Sequence, residues 1–328
     1  MRAITCHAWG DVDALVLEND VPTPTPEADE ILIEVKATAI NYADSIMVAG
    51  NYQTKPPFPF SPGLETAGVV TACGQDVTKI RPGDRVMAVL AYGGLAEYAV
   101  AKAAEAYVIP DDMSWQDAAA FPIAYFSSDV AIRWLGQLKA SETMLVLGAA
   151  GGVGLTAVEI GKAIGARVIA AASTQEKLDA AKSRGADELI NYSEENLKER
   201  VDALTSGDGV NVCFDPVGGE LFDAALSSLG WGGRMLIIGF VGGVPKIPAN
   251  RLLVKNRAAF GSSLRHFRWH EPDKLQITAD SLLAWYGEGK LKPMVTHELP
   301  LERSADAIRL LTERKAYGRV LVTIGLND

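Results

Sequence analysis

Cysteine is scarce in this chain: Cys6, Cys73 and Cys213 are the only three among 328 residues. Odd in number and far apart, they make neither a disulfide framework nor a Cys-x-x-Cys metal pair, and a reducing cytoplasm is the expected location. Histidine is almost as thin. His7, His266, His270 and His297 are scattered, and scattered histidines read as surface or structural groups rather than as a ligand set. No apolar run approaches the roughly 20 residues of a membrane span, and the segment Met1–Gly10 lacks the long apolar core of a secretory signal. Positive charge is also short. A formal net charge of −10 argues against a nucleic-acid or membrane partner, because phosphate polyanions are repelled. One anionic ligand is still allowed, since it responds to local charge. Internal repeats and low-complexity stretches are missing as well. What remains is the composition of a globular protein long enough for roughly two domains.

The chemistry-bearing stretch is Met144-Leu-Val-Leu-Gly-Ala-Ala-Gly-Gly-Val-Gly154. An apolar run breaks into a glycine-dense turn, then Leu155–Ile164 reads as a helix closed by Gly165. The register Ala149-x-Gly151-x-x-Gly154 is a dinucleotide fingerprint with alanine in the place of its first glycine. Gly151 lets the backbone approach a pyrophosphate, Gly154 lets the helix pack on the strand, and the helix N-terminus presents free N–H groups to the anion.

Around this turn the chain changes rhythm. Up to about residue 120 it is β-rich: Ile31–Ala37, Gly68–Ala72, Arg85–Leu90 and Ala96–Val100 are short runs punctuated by Pro/Gly turns, which suggests a barrel-like or sandwich fold. From about Ala118, strands alternate with amphipathic helices. Strands are expected at Thr143–Leu147, Arg167–Ala171, Glu188–Ile190, Val210–Phe214, Arg234–Ile238 and Ala258–Ser262, with helical segments at Glu176–Arg184 and Ser193–Leu204. This is an α/β pattern, a doubly wound parallel sheet covered by helices on both faces. In the tail, Pro272–Tyr286 and Ser304–Lys315 read as helices and Arg319–Ile324 as a strand; pattern alone leaves open which domain they join.

Two motifs, one in each half, resemble the same family. Gly63-Leu-Glu-x-x-Gly68-x5-Gly74-x2-Val77 resembles a signature of the medium-chain dehydrogenase/reductase superfamily, with Leu64 where the zinc-type alcohol dehydrogenases have histidine. Ser141-Glu-x-x-Leu-x3-Ala149-Ala-Gly-Gly-x-Gly154 resembles the signature of the zinc-independent quinone oxidoreductase branch, with Glu159 where glutamine is expected. The resemblance covers essentially the whole chain. It implies a GroES-like β-barrel catalytic domain at residues 1–121, completed by residues 265–328, and a Rossmann dinucleotide-binding domain at residues 122–264, with the cofactor in the cleft between them.

The metal can be argued chemically. A catalytic zinc needs about three N, S or O ligands and an open position. In the zinc branch a cysteine takes the place of Asn41 and the histidine that of Leu64; asparagine is a poor ligand and leucine is none. No cluster of four cysteines follows Arg85-Val-Met, so no zinc site is expected. For the nicotinamide, NAD-binding versions of the fold place an acid about 20 residues past the glycines to bond the ribose 2′-OH. Here Ala172 or Ser173 takes that place. A carboxylate would repel a 2′-phosphate, whereas a small or hydroxylated residue leaves room and offers a hydrogen bond. By resemblance Lys177 and Tyr192 contact the adenosine phosphate, so NADPH is the expected cofactor. The resemblance further implies that Asn41, Tyr52 and Ser127 lie around the nicotinamide as catalytic residues. It also implies that Ala150, Gly151, Gly152, Val153 and Gly154, with Pro216 and Val217, Ile238, Gly239 and Phe240, and Ser262, Ser263, Leu264 and Arg319, line the cofactor.

No Ser-His-Asp or paired-carboxylate arrangement is evident, so hydrolysis has no support. The expected activity is NADPH-dependent, zinc-independent hydride delivery to a small electrophile, a quinone or other conjugated carbonyl. An enoyl-thioester or alkenal reductase is the alternative within this chemistry, and a crystallin-like or regulatory cofactor-binding protein the alternative outside it. The segment Val241–Lys255 corresponds to one that joins nucleotide domains edge to edge in the family, so a homodimer or homotetramer is expected. Arg265-His-Phe-Arg-Trp-His270 departs from the family pattern; it reads equally as a recognition element for an anionic or aromatic substrate and as a solvated loop.

Overall fold

Alternation makes the first sheet. Along Glu30–Ile40 every second side chain is buried until the last four, which are buried without exception, the signature of a strand that starts half-solvated and ends inside. In the computed structural model, which describes residues 1–325, the elements follow in this order: β1 (Ala3–Thr5), β2 (Val16–Glu18), β3 (Glu30–Ile40), α1 (Tyr42–Val48), β4 (Glu65–Cys73), β5 (Arg85–Val89), β6 (Tyr98–Lys102), β7 (Ala106–Val108), α2 (Trp115–Ala120), α3 (Pro122–Asp129), β8 (Thr143–Leu147), α4 (Gly152–Ile164), β9 (Arg167–Ala172), α5 (Gln175–Ser183), β10 (Glu188–Asn191), α6 (Leu197–Leu204), β11 (Val210–Asp215), α7 (Leu221–Ser228), β12 (Leu229–Ile237), α8 (Ala249–Leu253), β13 (Ala258–Gly261), α9 (Leu264–His270), α10 (Pro272–Gly287), β14 (Val295–Pro300), α11 (Ser304–Thr312) and β15 (Arg319–Thr323). The described residues form two units, 1–123 with 293–325 and 124–292.

In the first unit β3 is the central strand of a seven-stranded sheet in the order β14-β15-β3-β4-β5-β7, with β6 also on β3. One side of β3 is taken by β4; the other is shared, β6 pairing Glu30–Glu34 and β15 pairing Ala37–Ile40. Every pair is antiparallel except β14 with β15. The enclosed core runs from Ile31, Ile33 and Val35 through Val86 and Leu95 to Val320 and Val322 of the tail strand. This is the GroES-like barrel.

The second unit is a six-stranded, wholly parallel sheet in the order β10-β9-β8-β11-β12-β13. The order reverses between β8 and β11, so successive crossovers run away from that point to either side, and the crevice at its carboxyl end is where such sheets bind ligands. The inner strands β8, β9 and β11 are largely apolar and buried, as strands covered on both faces are.

One expected boundary needs correction. The tail rejoins the barrel at Pro293, not at residue 265, because α9 and α10 belong to the nucleotide unit. Thr278 on α10 donates to Asp129 Oδ2 (2.9 Å) and accepts from Trp134 Nε1 (2.9 Å), while Leu275, Ala279 and Leu282 are buried. A polar anchor flanked by an apolar stripe holds the helix there, and no local sequence signal distinguishes it from a helix of the barrel.

Candidate active site

The carboxyl edge of the parallel sheet is stitched beyond the strands by backbone hydrogen bonds. Tyr192 N–H donates to Ala172 O (3.1 Å), Ala149 to Ala171 (3.1 Å), Ile238 to Asp215 (2.9 Å) and Ser262 to Ile237 (2.9 Å). The expected cofactor residues of this unit therefore fall on one line of strand ends: Tyr192, Ser173, Ala150–Gly154, Pro216 and Val217, Ile238–Phe240, Ser262–Leu264. At the reversal point the sharp turn is made by Gly148, with φ +55°. The work of the fingerprint's first glycine is thus done one residue earlier than the Ala149 register implies, a shift betrayed in sequence only by the glycine that directly follows the strand. Gly154 is held hard against this turn: a Cβ there would lie 2.2 Å from Gly148 O. At Gly151, the N-cap of α4, the nearest atom to such a Cβ is Gly148 O at 3.3 Å, and the residue is exposed. Gly151 is exposed at the N-terminus of α4, where helix N–H groups without an intrahelical partner suit a pyrophosphate.

Pro216 and Val217 are fixed by their neighbours. Asp215 Oδ1 accepts from the N–H groups of Val217 and Gly218, both at 2.8 Å, and Gly242 N–H donates to Val217 O (2.8 Å). Burial pushes the Asp215 carboxyl above its ordinary range, and these two donors oppose the shift. At the outer strands, Ala172 ends β9 and is buried, Ser173 is half-buried, and Thr174 caps α5 by accepting from Lys177 N (3.4 Å). That cap places Lys177 in the first turn of α5, just past the Ser173 strand end, and Tyr192 follows β10, the strand paired with β9. No carboxylate stands at position 172 or 173. Ser127 lies half-buried on α3; its neighbour Ser128 bonds Thr156 Oγ1 (2.7 Å) and Val153 O (3.0 Å), which fixes α3 against the start of α4.

In the barrel unit Asn41 and Arg319 meet, and two carboxylates that sequence reasoning passed over join them. Asn41 Nδ2 donates to Glu65 Oε1 (2.8 Å), and Arg319 Nη1 donates to Asn41 Oδ1 (3.2 Å). Arg319 Nη2 also pairs with Glu65 Oε1, and Ile123 N–H donates to Glu65 Oε2 (2.7 Å). Asp44 takes the N–H groups of Asn41 (2.7 Å) and Gly63 (3.1 Å), one on each oxygen. All four side chains are at least nine-tenths buried. Burial pushes the Asp44 carboxyl up to about 7; it pushes Glu65 up too, against the Arg319 charge and the donors of Ile123 and Asn41. Two signals could have found these acids: Asn41-x-x-Asp44 has the spacing of a helix-start capping pair, and Glu65 stands inside the Gly63-Leu-Glu motif. Tyr52 is half-buried against the barrel core.

This cluster is a poor host for a catalytic zinc. Both ends of the Asn41 amide are spent, Leu64 is buried and has no donor atom, and the guanidinium of Arg319 already neutralises Glu65. Elsewhere among the described residues the one acidic group close enough to share an ion is Glu27, Asp29 and Glu30. Lys102 Nζ fills it, at 3.4, 2.9 and 3.0 Å from the three carboxylates.

Two enclosing architectures, a GroES-like barrel and a Rossmann sheet with a glycine cradle, define a medium-chain dehydrogenase/reductase. Residues 27–111 match the alcohol dehydrogenase GroES-like domain, and residues 152–278 match the zinc-binding dehydrogenase domain. The chain is 36% identical over 325 residues to the quinone oxidoreductase-like protein 2 homolog of Nematostella vectensis, covering 98% of this chain and 88% of that one. It is 31% identical over 308 residues to human quinone oxidoreductase, covering 94% and 92%. The crystal structure of Escherichia coli quinone oxidoreductase complexed with NADPH superposes with a TM-score of 0.91 at 30% identity, covering 99% of this chain and all of that one. The chain belongs to the quinone oxidoreductase branch of the medium-chain dehydrogenase/reductase superfamily.

Proposed function

We propose that this protein is an NADPH-dependent reductase that delivers hydride to a quinone or other conjugated carbonyl without a metal. The observation that carries the reading is the line of strand ends on the parallel sheet, with the Gly148–Gly154 cradle at its reversal point and no acid at Ala172 or Ser173. NADPH held there supplies a hydride, and the electron-poor acceptor takes it together with a proton from water. The chain's own part is binding and orientation, which is where most of the rate in such reactions originates. N–H groups at the start of α4 take the pyrophosphate, Ser173, Lys177 and Tyr192 take the 2′-phosphate, and the zipped loops at Pro216–Val217 and Ile238–Phe240 line the cofactor. Ser262–Leu264 and Ser127 face the nicotinamide end in this reading. In the barrel unit Asn41, Glu65 and Arg319 form one hydrogen-bonded polar cluster. With its amide committed at both ends, Asn41 is suited to hold its neighbours in place, with Tyr52 beside the same barrel core, rather than to move a proton.

The metal-free half is supported by that same commitment: the Asn41 amide and Glu65 are already engaged, and Leu64 carries no donor atom. The three cysteines are all free thiols, which suits the cytoplasm. No described helix is long and apolar enough to cross a membrane. The assembly we propose is a homodimer joined through the β13 edge. The experiment is an acceptor panel: 9,10-phenanthrenequinone, 1,4-benzoquinone, an alkenal and an enoyl-CoA, each with NADPH and with NADH. Oxidation of NADPH in preference to NADH by at least one acceptor supports the reading; a protein that binds NADPH and turns over none of them is a binding protein instead.

A further inference from the structure

Helix α9 carries two arginines, two histidines and a tryptophan in seven residues, and no acid, within a chain of net charge −10. Half of the chain's histidines are here. The helix begins three residues past β13, at the carboxyl edge of the parallel sheet where the cofactor residues lie. Its outer face is ordered rather than merely charged. Arg265 stands over the Trp269 ring at 4.9 Å, one helical turn away, and His266 meets the same ring edge-on at 5.5 Å. Ser263 Oγ in turn bonds His266 Nδ1 (2.9 Å). Trp269 is still 54% exposed, and His266 and His270 are exposed beside it. Arg268 is left out of this surface, since its Nε and Nη1 atoms are inaccessible to solvent.

Such a face suits a ligand with a planar base and phosphates: an exposed indole stacks any base, and guanidinium and imidazole groups hold phosphate oxygens. The cofactor's own 2′-phosphate is not that ligand. It belongs to the β9 strand end, and β13 lies four strand spacings away across the sheet, about 19 Å. The pyrophosphate is taken at α4, next to β8. With the cofactor's own phosphates placed elsewhere, the substrate is the other molecule that brings phosphates to this sheet edge. Resting on the reductase reading above, we infer that α9 recognises the phosphorylated nucleotide handle of an acyl-CoA-type thioester, so that the conjugated carbonyl reduced at the nicotinamide arrives as an enoyl thioester.

The test compares crotonyl-CoA with crotonyl-pantetheine, which has the same reacting group and no nucleotide, alongside 9,10-phenanthrenequinone. The KM for crotonyl-CoA is expected to be roughly tenfold or more below that for crotonyl-pantetheine. Arg265→Ala and Trp269→Ala should each raise it several-fold and leave the KM for NADPH where it was, with Trp269→Phe restoring most of the loss. Binding of CoA alone, followed by calorimetry, should weaken in the same two variants, and circular dichroism checks that they are folded. Equal KM values for the two thioesters, or variants that leave CoA binding unchanged, overturn the inference. Quinone turnover by the same preparation then shows that the reductase reading stands; absence of turnover with every acceptor sinks that reading, and CoA binding alone still decides the α9 site.

Discussion

Lys177 decides more than any other single residue here, because one charge is tied to one specificity. Its position in the first turn of α5, fixed by the Thr174 cap, brings it to the strand end that has alanine and serine instead of an acid. Lys177→Ala should raise the KM for NADPH about 5- to 150-fold, the worth of a partly exposed lysine–phosphate contact, and leave that for NADH nearly unchanged. The effect should shrink with added salt, and Ala172→Asp should reverse the preference. Equal effects on both cofactors would remove Lys177 from the argument. Glu159 makes a different prediction. It is buried, accepts from Tyr125 Oη (2.5 Å) and lies 3.6 Å from Arg184 Nε, and burial pushes its carboxyl up to about 7. Between its ordinary value near 4.5 and 7 the unfolded chain has lost this proton and the folded chain still holds it. Stability therefore falls as pH rises across that window and levels off above it. Glu159→Gln keeps an acceptor for Tyr125 and removes the titration, so its melting temperature should fall less between pH 5 and pH 8 than that of the parent. Asp44, raised to a similar value, gives the parent a slope of the same sign that the variant retains.

At the scale of elements, what repeats was legible and what depends on distant partners was not. The parallel strands β8, β9 and β11 announce themselves as largely apolar runs, and Thr143–Leu147 has the expected bounds. β12 begins at Leu229, five residues before the expected Arg234, because Gly230, Gly232 and Gly233 read as a turn while pairing of Leu229 with Val210 extends the strand across them. Short helices such as α1 and α9 have no amphipathic period long enough to read, so α9 was as easily a loop. Asp44 and Glu65 were missed for a related reason: a buried acid is identified by its donors, which come here from Gly63, Ile123 and Arg319, far apart in sequence. The anchoring of α10 can be tested directly. Thr278→Val leaves the Trp134 indole N–H without its acceptor and takes one donor from the buried Asp129, and should cost about 1–3 kcal/mol. Hydrogen exchange should localise the loss to α10; unchanged protection there would show that the apolar stripe alone holds the helix.

The whole molecule raises the question of assembly. β13 is the terminal strand of its sheet, and an open strand edge is a liability that pairing removes. Near it in the chain the segment 241–255 exposes Val244 (75%), Leu253 (78%) and Val254 (68%), more apolar surface in one stretch than a monomer usually leaves bare. A homodimer of the 35.0 kDa chain is the expected species; light scattering that finds only the monomer at micromolar concentration would contradict it. Beyond assembly, the proposed activity is hydride transfer from NADPH to a conjugated acceptor with no metal. The measurement is NADPH oxidation with 9,10-phenanthrenequinone on protein exhaustively treated with chelator, with metal content determined on the same sample. Full activity without stoichiometric zinc is the predicted result; one tightly bound zinc per chain, with turnover lost on its removal, would contradict the account.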